Sequence, residues 1–590
     1  MPKQTSTLQI ESIEWPSLLL VMLAGLAAYW NSFQGIMVFD DRAAIVDQSN
    51  IRHLWPLRLV FNVPPDSILA GRPIVTLSLA LNYAVGGLGV VGYHAVNLAL
   101  HILNGWLLLK ITTFAFSTSP LVSWGSGTAR FLALASVLVW TVHPLLTDAV
   151  TYLAQRTELL MSFWLLLTLW CTIRSAASRV PHRWHAMAIV ACALGMASKQ
   201  VMVVAPLLIG LFDWLFLAPN ARHMWVTRRC LYLGLAASWL LLLALLTVTD
   251  ARQVAGFHFS HLTPLDYLRT QCGVLVHYLH LSVWPHPLVI DYDDWPIAKS
   301  WFEVALPTIV VVCLLSVSIW AIIRKHRGGF LGAWVFLILA PTSSILPLIS
   351  EVVAERRMYL PLYALTVLAV IGVWHLLQFI VHVPAGRRRV AFCIVGVVVG
   401  GLTVMTMQRN EDYRSSEALW KDTIAHRPLN ARAHYSLGRT LHAEGRLPEA
   451  VRAYEDGLRL RPNDVGALGN LTLAHAQLGE LDKAVARCAE AVRADPSFAD
   501  AHLNCGIAYV GLGRLAEAIS HYETALRLNP ADAQVHANLG STLAQLGHLD
   551  DAIHHYEAAL RLDPNGEQAS NIRAELQFAL LRRALGNQRR

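Results

Sequence analysis

Two adjacent carboxylates, Asp40 and Asp41, follow the first apolar run of the sequence and open a polar segment. In such a pair the charge of one carboxylate raises the pKa of the other, which suits a general base that takes a proton from an acceptor hydroxyl. The alternative is structural, because an Asp-Asp pair can also cap a loop helix at the edge of a membrane. Taken alone, the pair favours the structural interpretation.

The pair has charged companions in three other polar segments. Arg and Lys are unexpected outside cytoplasmic loops unless they bind an anion, and the planar donor fork of Arg fits phosphate. We therefore expect a phosphate group to be bound by Arg156, Lys199, Arg356 and Arg357. Supporting acidic and polar residues are expected at His143, Asp148, Glu158 and Glu355.

The apolar runs around these segments have the length of membrane-spanning helices. The chain has 590 residues, of which 55% are apolar and only 15% charged, and its mean hydropathy is +0.44. Between Met1 and Met407, apolar runs of about 18–20 residues recur, the length that a helix needs to cross about 30 Å of hydrocarbon. We predict eleven spanning helices, the first uncleaved, at about 17–38, 93–116, 130–147, 157–173, 186–198, 201–217, 231–249, 304–323, 330–349, 359–381 and 390–407.

Short basic segments orient these helices, since Lys and Arg concentrate in cytoplasmic loops. The strongest are 174–183, 222–229, 324–327 and 387–389. If all four are cytoplasmic, the N-terminus is cytoplasmic as well. Four connecting stretches and the residues after Met407 then lie on the outer face. The outer stretches are 39–92, 147–156, 250–303 and 350–358. The apolar stretches 73–85 and 274–284 must then rest at the membrane surface rather than span it.

The last third of the chain repeats with a fixed period. Prolines recur 34 residues apart, in phase with small residues. The prolines are Pro428, Pro462, Pro496, Pro530 and Pro564, and the small pairs include Gly445 with Ala450 and Gly479 with Ala484. This is the tetratricopeptide (TPR) pattern of paired helices. We predict a transmembrane domain at 1–407, a linker with a degenerate helix at 408–428, four repeats at 429–564 and a capping helix at 565–590, with a concave surface that binds a peptide or protein.

Several other functions are disfavoured by the sequence. The net charge of +7 is dispersed over the basic loops, so nucleic acid is not an expected partner. The eight cysteines form no C-x-x-C, which predicts neither a zinc site nor a disulfide framework. Residues Asp291, Asp293 and Asp294 are either a candidate divalent-cation site or a solvated acidic loop.

Several short motifs, taken together, resemble the TMTC family, the transmembrane and TPR-containing protein O-mannosyltransferases. The motifs span nearly the whole chain and are Phe39-Asp40-Asp41, Gly71-Arg72-Pro73 leading to Leu81-Asn82-Tyr83, Tyr93 to Asn97, His143-Pro144 with Arg156-Thr157-Glu158, Met196 to Lys199, and Val353 to Pro361. Two features depart from the family pattern. The chain has about four repeats where members have many more, and Gln200 stands where Glu is expected.

The resemblance implies a GT-C fold and an inverting glycosyltransferase that is independent of metal or weakly dependent on it. Its donor would be a polyprenyl- or dolichyl-phosphate sugar. Asp40 or Asp41 would be the base, and Arg356 with Lys199 would meet the donor phosphate. Alanine at Asp41 is expected to abolish turnover and leave the fold intact.

We therefore expect an all-α protein, a GT-C-like membrane bundle followed by a TPR solenoid. It would transfer mannose or another hexose, with inversion, from a polyprenyl-phosphate donor to Ser or Thr hydroxyls of an extracytoplasmic protein held by the repeats. The expected surroundings are membrane lipid, a bacterial inner membrane and periplasmic repeats. The alternatives are a transporter or flippase of lipid-linked sugar, which would place ionisable groups near the bilayer midplane, and a non-enzymatic TPR scaffold.

Overall fold

The computed structural model describes residues 15–65, 67–118, 126–249, 262–344, 347–348, 351–566 and 568–588. In these ranges the regular elements are helices. This confirms the prediction of an all-α fold with an apolar helical half and a TPR solenoid. The chain forms two compact units, residues 1–419 and 420–590, which are described separately.

The first unit is built from helices whose bounds follow the apolar runs. Several are flanked by single turns of 3₁₀- or π-helix, such as Trp30–Gln34, Arg42–Val46, Gln200–Val204 and Glu355–Met358. The α-helices are α1 Trp15–Tyr29, α2 Leu57–Phe61, α3 Pro73–Gly86, α4 Val90–Ser117, α5 Ser126–Thr141, α6 Thr147–Val150, α7 Arg156–Ala177, α8 Pro181–Met196, α9 Ala205–Phe212, α10 Ala221–Leu246, α11 Pro264–Val283, α12 Ala305–Ile323, α13 Gly329–Leu339, α14 Pro361–Ile380 and α15 Pro384–Asp412.

Each of the eleven predicted spans overlaps a helix of this unit. Among the described residues, eight helical segments are long and apolar enough to cross a membrane, and a ninth is formed if α5 and the bent segment Pro144–Val150 are one span. The other two predicted spans coincide with the shorter helices α8 and α13, of 16 and 11 residues. Helix α15 continues past the predicted end at Met407 to Asp412.

The two stretches predicted to rest at the membrane surface are also helical. Helix α3 begins at Pro73, a residue suited to the first helical position. Helix α11 has 20 residues, longer than the predicted 274–284, because the Thr263 hydroxyl accepts from the Asp266 backbone N–H (3.1 Å) and starts the helix earlier. The polar residues of this added first half keep α11 outside the set apolar enough to span.

A buried polar network ties α4 and α5 to the segment before α14. The Trp140 indole N–H donates to the Tyr359 carbonyl oxygen (2.8 Å), and Trp140 is fully buried. The His101 ring is hydrogen-bonded to the Tyr359 hydroxyl and to the Thr141 carbonyl oxygen, both at 2.9 Å. Buried polar groups that are satisfied in this way fix the position of the chain around them. The network therefore anchors the segment that carries Glu355, Arg356 and Arg357.

Helix α16, Ser416–His426, contains the boundary between the units, and paired helices follow it. The pairs are α17 Ala431–Ala443 with α18 Leu447–Leu460, α19 Val465–Gln477 with α20 Leu481–Ala494, α21 Ala499–Gly511 with α22 Leu515–Leu528, and α23 Ala533–Leu546 with α24 Leu549–Leu562. Helix α25, Ala569–Gln588, comes last.

Small residues lie where the two helices of a repeat approach closely. A Cβ placed on Gly438 would lie 2.5 Å from Cδ1 of Tyr454, so the glycine makes room for the buried tyrosine ring. In the second repeat both positions change together, since Thr472 replaces the glycine and Cys488 replaces the tyrosine. This exchange roughly conserves the packed volume.

Cys488 also forms a disulfide, although the cysteine pattern of the sequence implied no disulfide framework. It is bonded to Cys505, with the two Cα atoms 5.2 Å apart, and the bond joins α20 to α21 of the next repeat. The two residues are 17 positions apart and belong to no C-x-x-C. Only the stacking of one repeat on the next brings them together.

Candidate active site

Three segments that the sequence predicts on the outer membrane face, 39–92, 147–156 and 350–358, meet in the first unit. Lys199, in the connection between α8 and α9, lies at the same site. The Asp40 backbone N–H donates to the Tyr152 hydroxyl (3.0 Å), and the Ala154 backbone N–H donates to Asp41 (2.6 Å). The segment before α14 joins them because the Arg356 backbone N–H donates to Asp148 (3.0 Å).

The two adjacent aspartates have different surroundings. Asp41 is fully buried, and its two carboxylate oxygens accept from the backbone N–H groups of Val38 (3.0 Å) and Ala154 (2.6 Å). Burial raises the pKa of Asp41 to about 8 despite these bonds, and the charge of Asp40 adds to the rise. Asp40 is partly exposed, and its side chain is hydrogen-bonded to the Tyr152 hydroxyl. The hydrogen bonds to Asp41 therefore fix the loop that contains both aspartates, and Asp40 lies where a substrate could reach it.

Arg356 lies between two carboxylates. Its Nη1 is 3.4 Å from Oδ2 of Asp148, and its Nη2 is paired with Glu351. Burial lowers the pKa of the guanidinium, but Glu351 and Asp148 outweigh burial and hold that pKa well above its ordinary value. The side chain keeps 9% of its surface exposed. Arg356 is thus a permanent positive charge at the edge of a buried site.

Lys199 forms an ion pair with Glu158 at the first turn of α7. Its ammonium is largely buried, and burial lowers the pKa of Lys199 while the charge of Glu158 opposes that change. Arg356 and Arg72 lie close enough to Lys199 to lower its pKa further. Three positive side chains are therefore gathered around one site.

Arg72, at the start of α3, is the cation that the sequence reasoning did not assign. Its side chain makes no hydrogen bond or ion pair within the described residues, and its Nε is buried without a partner. The charges of Glu158, Arg356, Glu351 and Asp40 all act on it. The sequence contained the same indication for Arg72 as for Arg156, because both are basic residues in predicted outer stretches.

Two other predicted site residues, Arg156 and Arg357, use their side chains for hydrogen bonds within the protein. The fully buried Arg156 guanidinium donates to Asn97 (2.9 Å), Asn82 (2.6 Å) and two backbone carbonyl oxygens, which fastens α7 to α3 and α4. Arg357 donates to the carbonyl oxygens of Thr342 (3.2 Å), Val352 (3.1 Å) and Glu351. Both guanidinium groups therefore have protein acceptors, whereas Arg72 has none in the described part of the chain.

His143 and Glu355 also support neighbouring backbone. The His143 Nδ1 accepts from the Leu145 backbone N–H (3.2 Å). Glu355 accepts from the Val289 backbone N–H (2.7 Å) and the Tyr292 hydroxyl (2.6 Å), so it fixes the segment after α11. Burial raises the pKa of Glu355 to about 8.

The candidate cation site is not assembled as a cluster. Within the described residues, no group of three or more His, Cys, Asp or Glu side chains could hold a metal ion. The Asp293 backbone N–H instead lies 3.4 Å from Oδ2 of Asp291, a contact within the acidic turn.

Comparison with known proteins adds family information to this geometry. Residues 126–247 match the family of dolichyl-phosphate-mannose-protein mannosyltransferases, and five overlapping segments between 408 and 584 match the tetratricopeptide repeat. The protein O-mannosyl-transferase TMTC4 of Homo sapiens is 27% identical over 75% of this chain. TMTC3 of Mus musculus and Tmtc3 of Drosophila melanogaster are 22% and 24% identical over 80% and 76% of it. The chain is TMTC-like.

The TMTC-like chain spans only part of its relatives' length, 66% of TMTC4, 54% of mouse TMTC3 and 55% of the Drosophila protein. Among solved structures, a thermophilic TPR protein of Thermus thermophilus is 24% identical, with 31% of this chain and 95% of that one covered. The TM-score of that match is 0.26, which is too low to support an argument.

Proposed function

We propose that this TMTC-like chain is a membrane glycosyltransferase that moves mannose or another hexose from a polyprenyl-phosphate donor to Ser or Thr hydroxyls of an extracytoplasmic protein. The observation that carries this proposal is Arg72, a cation without a protein partner in the described part of the chain, placed beside Lys199, Arg356 and Asp40. A buried donor without an acceptor is costly, so its acceptor is expected to come from a ligand. A lipid-linked phosphate supplies that acceptor.

In the proposed reaction the Asp40 carboxylate takes the proton of the acceptor hydroxyl. The hydroxyl oxygen bonds to the anomeric carbon as the bond from that carbon to the phosphate oxygen breaks. Attack from the opposite side inverts the anomeric configuration, and polyprenyl phosphate leaves with the bonding electron pair. Negative charge grows on the departing phosphate, and cations aimed at that charge lower the barrier. Arg72, Lys199 and Arg356 are assigned this role.

Asp40 is preferred to Asp41 as the base because of its surroundings. Asp41 is enclosed and already accepts two backbone N–H groups, so a substrate hydroxyl could approach it only if the loop opened. Asp40 is partly exposed and is oriented by Tyr152. A general base contributes about 10²–10⁴-fold to the rate when it lies within hydrogen-bonding reach of the proton that it removes.

We further propose that the repeats lie on the outer face of the membrane and present the acceptor. The meeting of the predicted outer segments at one site supports the loop assignment. The Cys488–Cys505 disulfide supports an oxidising compartment for the repeats, because disulfides persist there and are rare in the cytoplasm.

The proposal is tested with the full chain in nanodiscs, a panel of radiolabelled polyprenyl-phosphate hexoses and a periplasmic protein extract. We expect label in protein with one of the hexoses. The Arg72→Gln variant is expected to transfer about 10²–10³-fold more slowly, the typical loss when one donor to developing charge is removed. Arg179→Gln, an exposed residue of a predicted cytoplasmic loop, is the matched control and should transfer normally.

A second readout separates binding from chemistry. Polyprenyl phosphate alone should raise the melting temperature of the native chain and of Arg179→Gln, but not of Arg72→Gln. Label that reaches lipid or glycan but no protein would contradict the protein acceptor. Absence of transfer from every donor, with the chain folded and still stabilised by polyprenyl phosphate, would favour transport of the lipid-linked sugar.

A further inference from the structure

The second unit contains a groove of about 750 Å³ lined by the first helices of successive repeats. Its apolar lining includes Leu473, Phe498, Leu503 and Ile507. Its polar lining includes Tyr435 of α17, Asn470 of α19, Asn504 of α21, and the acidic residues Asp500 and Asp532. The groove thus runs across three helix pairs and the start of a fourth.

Two asparagines occupy the same register of adjacent repeats, 34 residues apart. Both amide hydrogens of Asn470 are used, since Nδ2 donates to the Tyr435 hydroxyl and to the Gly466 carbonyl oxygen, both at 2.9 Å. This fixes the amide plane. The amide carbonyl of Asn470 accepts no hydrogen bond from the described residues.

Asn504 is the stronger indication of a ligand. It is 9% exposed, lines the groove, and its side chain makes no hydrogen bond within the described residues. It packs against Gly469, where an added Cβ would lie 2.9 Å from its amide nitrogen. Because Asn504 lines the groove and its amide group has no hydrogen-bond partner among the described residues, that group is open to a ligand. A ligand with both a donor and an acceptor, such as a peptide bond, would satisfy it.

The charge that lines the groove is negative. The charged residues among those that line it are both carboxylates, Asp500 and Asp532. Burial raises the pKa of Asp500, and the neighbouring charge of Asp532 raises it further. Asp532 also caps α23, because its Oδ1 accepts from the backbone N–H groups of Gln534 (2.9 Å) and Val535 (3.1 Å). A positive side chain placed between the two carboxylates would remove their repulsion.

We propose that this groove binds an extended peptide segment of the acceptor protein that carries a Lys or Arg side chain. The cation lies between Asp500 and Asp532, the amides of Asn470 and Asn504 bond the peptide backbone, and the apolar lining contacts the neighbouring side chains. The inference rests on the proposed function for the identity of the bound protein as acceptor. The acceptor hydroxyls are then found on proteins with a basic residue near the modified Ser or Thr.

The test measures binding of the full chain in nanodiscs to an array of Ser- and Thr-containing peptides with one position varied. We expect peptides with Lys or Arg at that position to bind more tightly than those with Gln or Glu. Asp500→Asn should weaken binding of the basic peptides about three- to fivefold, as for a partly exposed ion pair, and leave the neutral ones unchanged. Asn504→Ala should weaken all peptides about five- to tenfold through lost backbone hydrogen bonds.

Glu523→Gln, an exposed residue of α22 that does not line the groove, is the matched control and should bind every peptide as the native chain does. Equal binding of basic and neutral peptides, or a basic preference that survives Asp500→Asn, would overturn the proposal. Asp40→Asn separates the two proposals, because it should lose transfer and keep the peptide preference. Peptide preference without transfer in the native chain would therefore reject the transferase and retain the groove.

Discussion

At the scale of single residues, neighbouring aspartates differ because one is enclosed and the other is not. Asp41 accepts two backbone N–H groups from separate segments, which makes it part of the framework of the loop. Asp40 keeps a solvent-facing surface beside Tyr152. From the sequence, both were candidates for the base, since adjacent side chains of the same type cannot be told apart without knowing which one faces the protein.

The two aspartates can be separated by matched substitutions. Asp40→Asn should reduce sugar transfer about 10²–10⁴-fold with an unchanged melting temperature, because only the proton acceptor is lost. Asp41→Asn replaces one accepting oxygen with an amide group that cannot accept, which should cost about 1–3 kcal/mol of stability. Thermal unfolding and transfer assays on both variants measure this difference. The assignment fails if Asp41→Asn is as stable as the native chain and Asp40→Asn transfers normally.

At the scale of helices, the third and fourth repeats each carry a pair of facing histidines. Nδ1 of His502 lies 3.1 Å from Nδ1 of His521, and Nδ1 of His536 lies 2.9 Å from Nδ1 of His555. The first ring of each pair is also bonded through Nε2 to a proline carbonyl oxygen. Each pair joins the first helix of a repeat to the second, so its protonation bears on the packing of the repeat.

This packing should weaken in acid. Burial, followed by the charges of His536 and His554, lowers the pKa of His555 from 6.5 to about 4, while Asp551 opposes them. Because the unfolded chain binds a proton that the folded chain does not, stability is complete above pH 6.5 and is lost as the pH falls towards 4. Since the residue is partly exposed, the loss is expected to be only about 1 kcal/mol.

Hydrogen exchange of α23 and α24 in the full chain measures this effect at pH 7 and pH 5. The native chain should lose protection at pH 5. His555→Asn, which cannot titrate, should lose less. Equal losses in the two chains would show that another group controls the acid response.

At the scale of the whole molecule, the predicted outer segments and the repeats share one side of the membrane in our proposal. The first unit supports this because segments far apart in sequence supply Asp40, Arg72, Asp148, Lys199 and Arg356 to one site. The second unit supports it through its disulfide.

The orientation is tested with single cysteines and a membrane-impermeant maleimide. The exposed residues Ser497, in the repeats, and Ala177, at the predicted cytoplasmic end of α7, are each replaced by Cys, in a background where the exposed free cysteines Cys230, Cys313 and Cys393 are Ser. In cells with a permeabilised outer membrane, Ser497→Cys should react and Ala177→Cys should not. In inverted inner-membrane vesicles the pattern should reverse, and labelling of both positions from one side would contradict the topology.

The features that repeat, or that depend on the surrounding solvent, could be recognised from the sequence alone. The spacing of 34 residues between prolines fixed the phase of the repeats, because each turn of the solenoid needs the same small and apolar positions. Apolar runs located the helices, because a membrane demands about 20 apolar residues for each crossing. Because these patterns are local and periodic, they can be recognised in a single sequence without a structure.

Which charged residues have protein partners is seen only in the folded chain. Arg72 and Arg156 are equivalent in sequence, both basic and both in predicted outer stretches, yet Arg156 meets four acceptor oxygens and Arg72 meets none in the described part of the chain. The Cys488–Cys505 disulfide likewise could not be predicted from the sequence, since it depends on the stacking of one repeat on the next. Whether a polar group is satisfied depends on contacts between distant segments, and sequence spacing does not encode those contacts.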